Sequence, residues 1–146
     1  MTVCDKCLIL DKRLFEDLSD TCRRSNGMGL AAPQIGRSER VFYCACGTLE
    51  GTFVIDPRIN SVSEECDVGE EGCLSIPGII LMTTRNREIQ VGYTDIFGNR
   101  TTTTLTGISA RIFQHELDHL DGKLFIDSLS REERLLIATE LSKRPR

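Results

Sequence analysis

The chain has 146 residues, 40% apolar and 27% charged, a globular composition rather than a disordered or fibrous one. A domain of this length buries ~68–70% of its unfolded surface, so a single core needs no covalent staple. Eighteen basic against 22 acidic residues leave a net charge of −4, which disfavours a broad nucleic-acid-binding face, and no DNA partner is expected.

In chain order, the N-terminal MTVCDKCLIL has no basic segment followed by a long apolar one. No secretory signal is read there, and a cytoplasmic location is expected. Cys4 and Cys7 form a CxxC, but no second CxxC follows to complete a zinc site. Seven cysteines, an odd number without a signal, predict reduced thiols rather than a disulfide framework. Residues 11–25 place Leu14, Phe15, Leu18 and Cys22 on one helical face, and Asn26-Gly27 ends that helix. GMGLAAPQIG is too irregular for a helix. RVFYCACG (40–47) and TFVID (52–56) read as strands, the second ended or edged by Pro57. The acidic SEECDVGEEG (63–72) reads as a solvated loop or an edge strand. GIILMTTR (78–85), EIQVGYTD (88–95) and RTTTTLT (100–106) read as three further strands. The run IPGIILM at 76–82 is far short of the ~20 apolar residues of a membrane helix, so no membrane partner is expected. From Gly107 the period becomes helical, with Ile108, Ile112, His115, His119 and Leu120 on one stripe up to Asp121-Gly122. A last helix starts at Ser130, with Glu133 completing a capping box, carries Leu135, Leu136 and Leu141, and ends in KRPR. The pattern predicts one strand-rich α+β domain over residues 1–146, with antiparallel and mixed sheets around a central helix and a short C-terminal helix.

The chemistry concentrates in QHELDH. The two histidines of the chain, His115 and His119, stand four apart with Glu116 between them, an HExxH motif. Residues four apart on a helix share a face, so both imidazoles can chelate one ion while Glu116 reaches a water beside it. A third ligand is needed. Glu140, 21 residues beyond His119, would complete a site of the zinc-peptidase kind. Cys73, in a turn-like EGC expected at a strand start, would instead bring a thiolate to the ion.

GMGLAAPQ, EGCLS and QHELDH, in that order, resemble the three signature motifs of the peptide deformylases, and the resemblance runs from about Gly27 to Leu129. It implies a strand-rich body around a metal-binding helix, and removal of the formyl group from N-formylmethionyl nascent peptides. It implies Cys73, His115 and His119 as ligands of one divalent metal, Fe2+ in the family, with Zn2+, Ni2+ or Co2+ able to replace it. Ligand type alone would point to zinc. The resemblance gives Glu116 the role of general base, and Gln34 and the backbone N–H of Leu74 that of oxyanion donors. Gly29 and Gly72 would hold the substrate main chain, and Met28, Ile108, Arg111 and Ile112 would surround the methionine side chain. Glu71 and Arg85 would brace the cysteine loop. The chain is shorter than most of the family, and Met28 and Arg111 stand where smaller or apolar residues are often found. Two further readings stay open: an HExxH peptidase using Glu140, and an inactive relative serving as a binding module. A monomer is expected, with a transient ribosome contact through KRPR.

Overall fold

The computed structural model describes residues 12–145. The Cys4–Cys7 pair and Arg146 of the basic tail lie outside the described residues. Helix α1 (Lys12–Arg24) leads into a short strand β1 (Gly29–Ala31) and a 3-10 turn (Ala32–Ile35). Strands β2 (Val41–Cys44), β3 (Thr52–Val62), β4 (Cys66–Cys73), β5 (Ile76–Asn86), β6 (Glu88–Thr94) and β7 (Arg100–Thr106) follow. Strand β7 runs directly into helix α2 (Gly107–Leu120), and a second 3-10 turn (Phe125–Ser128) precedes helix α3 (Arg131–Ser142).

The strands form two antiparallel sheets. One has the order β1-β2-β3-β6-β7; the other is the β4–β5 hairpin. All four residues of β2 are buried because the larger sheet is covered on both faces. Val41 and Tyr43 point to a cluster with Leu14, Leu18 and Cys22 of α1. Phe42 and Cys44 alternate to the other face and pack with Val54, Val91, Leu105 and Phe113, the last from α2. Phe42 and Phe113 meet edge to face with ring centroids 5.2 Å apart, fixing α2 across the sheet. Gln114 adds a polar tie: its Oε1 accepts from the Asn86 backbone N–H and its Nε2 donates to the Asn86 carbonyl. The metal-motif helix is thereby tied to the open end of the β4–β5 hairpin, opposite the turn beside Cys73.

Two local readings change. Pro57 does not end its strand: β3 continues to Val62, and the register shifts between Ile55 and Arg58. Asp56 there has φ 47°, a left-handed conformation an aspartate tolerates, and its N–H donates to the Arg40 carbonyl in continuation of the β2–β3 register. A proline is compatible with a strand at such a bulge because no ladder donor is required of it. The acidic 63–72 segment is mostly strand, β4, an edge strand of the two-stranded sheet and so one of its two expected forms. Cys73 is the last residue of β4, not the start of a strand. The C-terminal helix has its capping box, with the Ser130 hydroxyl accepting from the Glu133 N–H and the Glu133 carboxylate accepting from the Ser130 N–H. It buries none of its side chains, and Leu135 and Leu136 are exposed.

Candidate metal centre

α2 presents His115, Glu116 and His119 inward, all below 10% exposed. Cys73 Sγ lies 3.2 Å from His119 Nε2, and the two Nε2 atoms of His115 and His119 are 3.3 Å apart. All three donor atoms fall within 4.8 Å of one another. Donors around one tetrahedral ion at ordinary Cys and His bond lengths sit about 3.3–3.8 Å apart, so the set fits a divalent metal. Glu140 is not among them. It lies on exposed α3, paired with Lys143 at 3.0 Å.

The supporting shell makes the fit specific. His115 Nδ1 meets Glu71 Oε1 at 2.6 Å, which turns Nε2 toward the thiolate and the second imidazole. Glu71, 6% exposed, accepts from Arg85 Nε and Nη2 at 2.9 Å each, from Arg111 Nη1 at 2.7 Å, and from the Thr83 hydroxyl. Arg85 also donates to Asp118 at 2.7 Å. Glu71 and Arg85 thus brace the cysteine strand as expected. Thr83 and Asp118 were not anticipated, since neither belongs to a spacing rule; Asp118 was visible only as the neighbour of His119 within HELDH.

Electrostatics follow from this packing. Burial would raise the Glu71 carboxyl, but the bonds from His115, Arg85 and Thr83 hold it well below the usual carboxylate range. Burial would likewise raise the Cys73 thiol, yet hydrogen bonds from both imidazoles bring it down to about 5. Burial opposes a charge on His115, but the Cys73 and Glu71 acceptors outweigh it and push the ring up to about 10. Both shifts favour charge on the Cys73–His115 pair, and a dication entering there would compete with the proton on His115. Glu116 is the one described residue with a buried polar side-chain atom lacking a partner, Oε2. Its carboxyl is pushed up to about 7 by burial, against the opposing influence of the two imidazoles.

The centre opens into a cavity of about 590 Å3. Met28, Gly29, Gly72, Ile108, Arg111 and Ile112 all line it, as do Gln34, Cys73, Leu74, His115 and Glu116. Gln34 is oriented by its own loop: its Oε1 accepts from the Ala31 N–H at 2.9 Å, leaving Nε2 to face Ser75 Oγ at 3.1 Å and Cys73 Sγ at 3.5 Å. Gly29 lies against Glu116, since a Cβ there would stand 2.7 Å from Oε1. Arg111 borders the cavity, and its guanidinium donates to Glu71, also on the cavity wall, and to the Thr83 and Asp67 carbonyls.

An inward HExxH helix with a cysteine thiol beside its two histidines, facing a cavity that borders an edge strand, is an arrangement that fits a metal-dependent hydrolase. The polypeptide deformylase family profile matches residues 6–135. Peptide deformylase 2 of Nostoc is 46% identical over 125 residues, 80% of this chain and 70% of its own length. The solved peptide deformylase of Thermotoga maritima is 41% identical with TM-score 0.79, covering 89% of this chain and 86% of that one. The Ehrlichia chaffeensis peptide deformylase in complex with actinonin is 33% identical with TM-score 0.86, covering 93% and 86%. The chain belongs to the polypeptide deformylase family. Its activity is deformylation of N-formylmethionyl peptides, a metal-dependent hydrolysis. Among the described residues no helix is long and apolar enough to cross a membrane.

Proposed function

We propose that Cys73, His115 and His119 hold the metal of this deformylase, that the ion is Fe2+, and that Glu116 is the general base. The observation that carries this reading is the convergence of three donor atoms beside the unpartnered Glu116 Oε2 at the end of one cavity. A dication held there would supply Lewis acidity, making a water easier to deprotonate. Glu116 accepts a proton from that water at Oε2 and returns it to the departing amine nitrogen. Its raised carboxyl pKa suits both halves of that transfer. As the deprotonated water adds to the formyl carbon, Gln34 Nε2 and the Leu74 backbone N–H donate to the formyl oxygen, which becomes the oxyanion; collapse breaks the C–N bond and releases formate. Losing one such donor typically costs ~2.7–4 kcal/mol of barrier.

The substrate lies as an extended strand between Gly29, on the edge strand β1, and Gly72 of β4, with Met28, Ile108 and Ile112 around its methionine side chain. The chain acts as one catalytic domain, as a monomer in the cytoplasm, with KRPR touching the ribosome transiently. Two members of that tail are already engaged, Lys143 with Glu140 and Arg144 with the Pro77 carbonyl. Unchanged ribosome co-sedimentation after removal of residues 143–146 would discard that contact.

The deciding experiment is formate release from an N-formylmethionyl peptide by protein purified without oxygen and loaded with Fe2+, beside Glu116→Ala. Release that disappears in the variant supports the assignment. Loss of bound metal in Glu140→Ala but not in Cys73→Ala would replace it with the peptidase-like ligand set.

A further inference from the structure

Arg111 lies one turn before His115 on α2, and its guanidinium joins three elements. Nη1 donates to Glu71 Oε2 at 2.7 Å, to the Thr83 hydroxyl at 2.7 Å and to the Thr83 carbonyl at 3.1 Å. Nη2 donates to the Asp67 carbonyl at 2.8 Å. Asp67 and Glu71 belong to β4 and Thr83 to β5, so one side chain spans both strands of the hairpin. That hairpin carries Cys73, while α2 carries both histidines. The same group also bears on the local charge. Glu71 and Asp118 are two carboxylates, Arg85 and Arg111 two guanidiniums, linked in one network with ion pairs of 2.7–2.9 Å. Without Arg111 the two carboxylates would share the single guanidinium of Arg85.

Gly69 makes the arrangement possible. A Cβ there would stand 3.0 Å from Arg111 Cζ and 3.1 Å from both Nε and Nη2. Strand residues at 67, 69 and 71 share one face of β4, so any side chain at 69 points at the guanidinium.

We propose that Arg111 is a positioning residue: it ties the histidine helix to the cysteine hairpin and, through Glu71, fixes the His115 ring, with Gly69 supplying the space it needs. This rests on the reading of Cys73, His115 and His119 as metal ligands. The test therefore reads the ligand set directly, without substrate, by titrating metal-free protein with Co2+ and following visible absorption and chelator competition. Wild type should bind one equivalent with thiolate-to-metal absorption that Cys73→Ala abolishes; its failure to do so would overturn the ligand reading itself, and this proposal with it. In Arg111→Met, Co2+ binding should weaken about 10–100-fold and the absorption bands shift. Gly69→Val keeps the arginine but fills its space with a residue that favours strands, and should move both readouts the same way. Arg111→Lys, keeping charge without the fork, should fall between wild type and Arg111→Met. Should Arg111→Met not fold, the other two variants decide. Unaltered Co2+ affinity and bands in Gly69→Val and Arg111→Lys would overturn the proposal, whatever happens to melting temperature. A change confined to KM for the formyl peptide would overturn it too, making Arg111 a pocket wall only.

Discussion

Glu116 is 4% exposed, and the backbone of Gly29 is what closes over it. Two predictions follow from that contact. Glu116→Gln keeps the volume but cannot carry the proton, so formate release should fall about 10²–10⁴-fold while metal content stays at one equivalent. Gly29→Ala places a methyl 2.7 Å from Oε1, closer than a carbon can approach. The carboxylate must move, and displacement of a catalytic group by about 1 Å can cost 10²-fold in rate. Steady-state assays should show that loss mainly in kcat, with metal content and melting temperature near wild type. An intact kcat would mean that Glu116 has room to relax and that its position is not set by β1.

The elements differ in how firmly they are held. α2 packs between the five-stranded sheet and the hairpin, tied by Phe113, Gln114 and Arg111. α3 buries no side chain and owes its start to the Ser130–Glu133 box. Removing such a cap typically costs ~1 kcal/mol of helix stability. In Ser130→Ala the α3 amides should therefore exchange faster with solvent, while formate release and α2 protection stay unchanged. Slower turnover in that variant would show α3 coupled to the centre, through a route such as Arg144 on the Pro77 carbonyl beside the cavity.

At the scale of the whole molecule, buried thiols set a pH limit. Burial raises the Cys22 thiol to about 11 and pushes Cys44 higher still, with the Glu116 charge adding to both. The folded state keeps both protonated where an unfolded chain would begin to ionise near pH 9. The unfolded state then binds fewer protons, so stability falls as pH rises from about 9, with a slope of at most about 1.4 kcal/mol per pH unit for each thiol. Below that pH neither thiol contributes a slope. Thermal melts at pH 8 and pH 10 should show a drop in melting temperature that shrinks in Cys44→Ala; an equal drop in the variant would assign the alkaline loss to other groups.

Read alone, the sequence determined what depends on near neighbours. The helical periods of α1 and α2, the capping box at Ser130, and the placing of two imidazoles and a glutamate on one helix are consequences of 3.6 residues per turn, and they appear where expected. The fold class followed from the same periodicities. Tertiary structure alone decided which distant groups meet. Spacing left Cys73 and Glu140 open as the third donor; packing brings the thiol to 3.2 Å from His119 and leaves Glu140 on an exposed helix. Spacing also could not show that Arg111 reaches Glu71, or that Pro57 sits inside a bulged strand. A periodic pattern reports which face of an element is buried. What lies across that face is fixed by strand register and helix packing, through contacts between residues tens of positions apart.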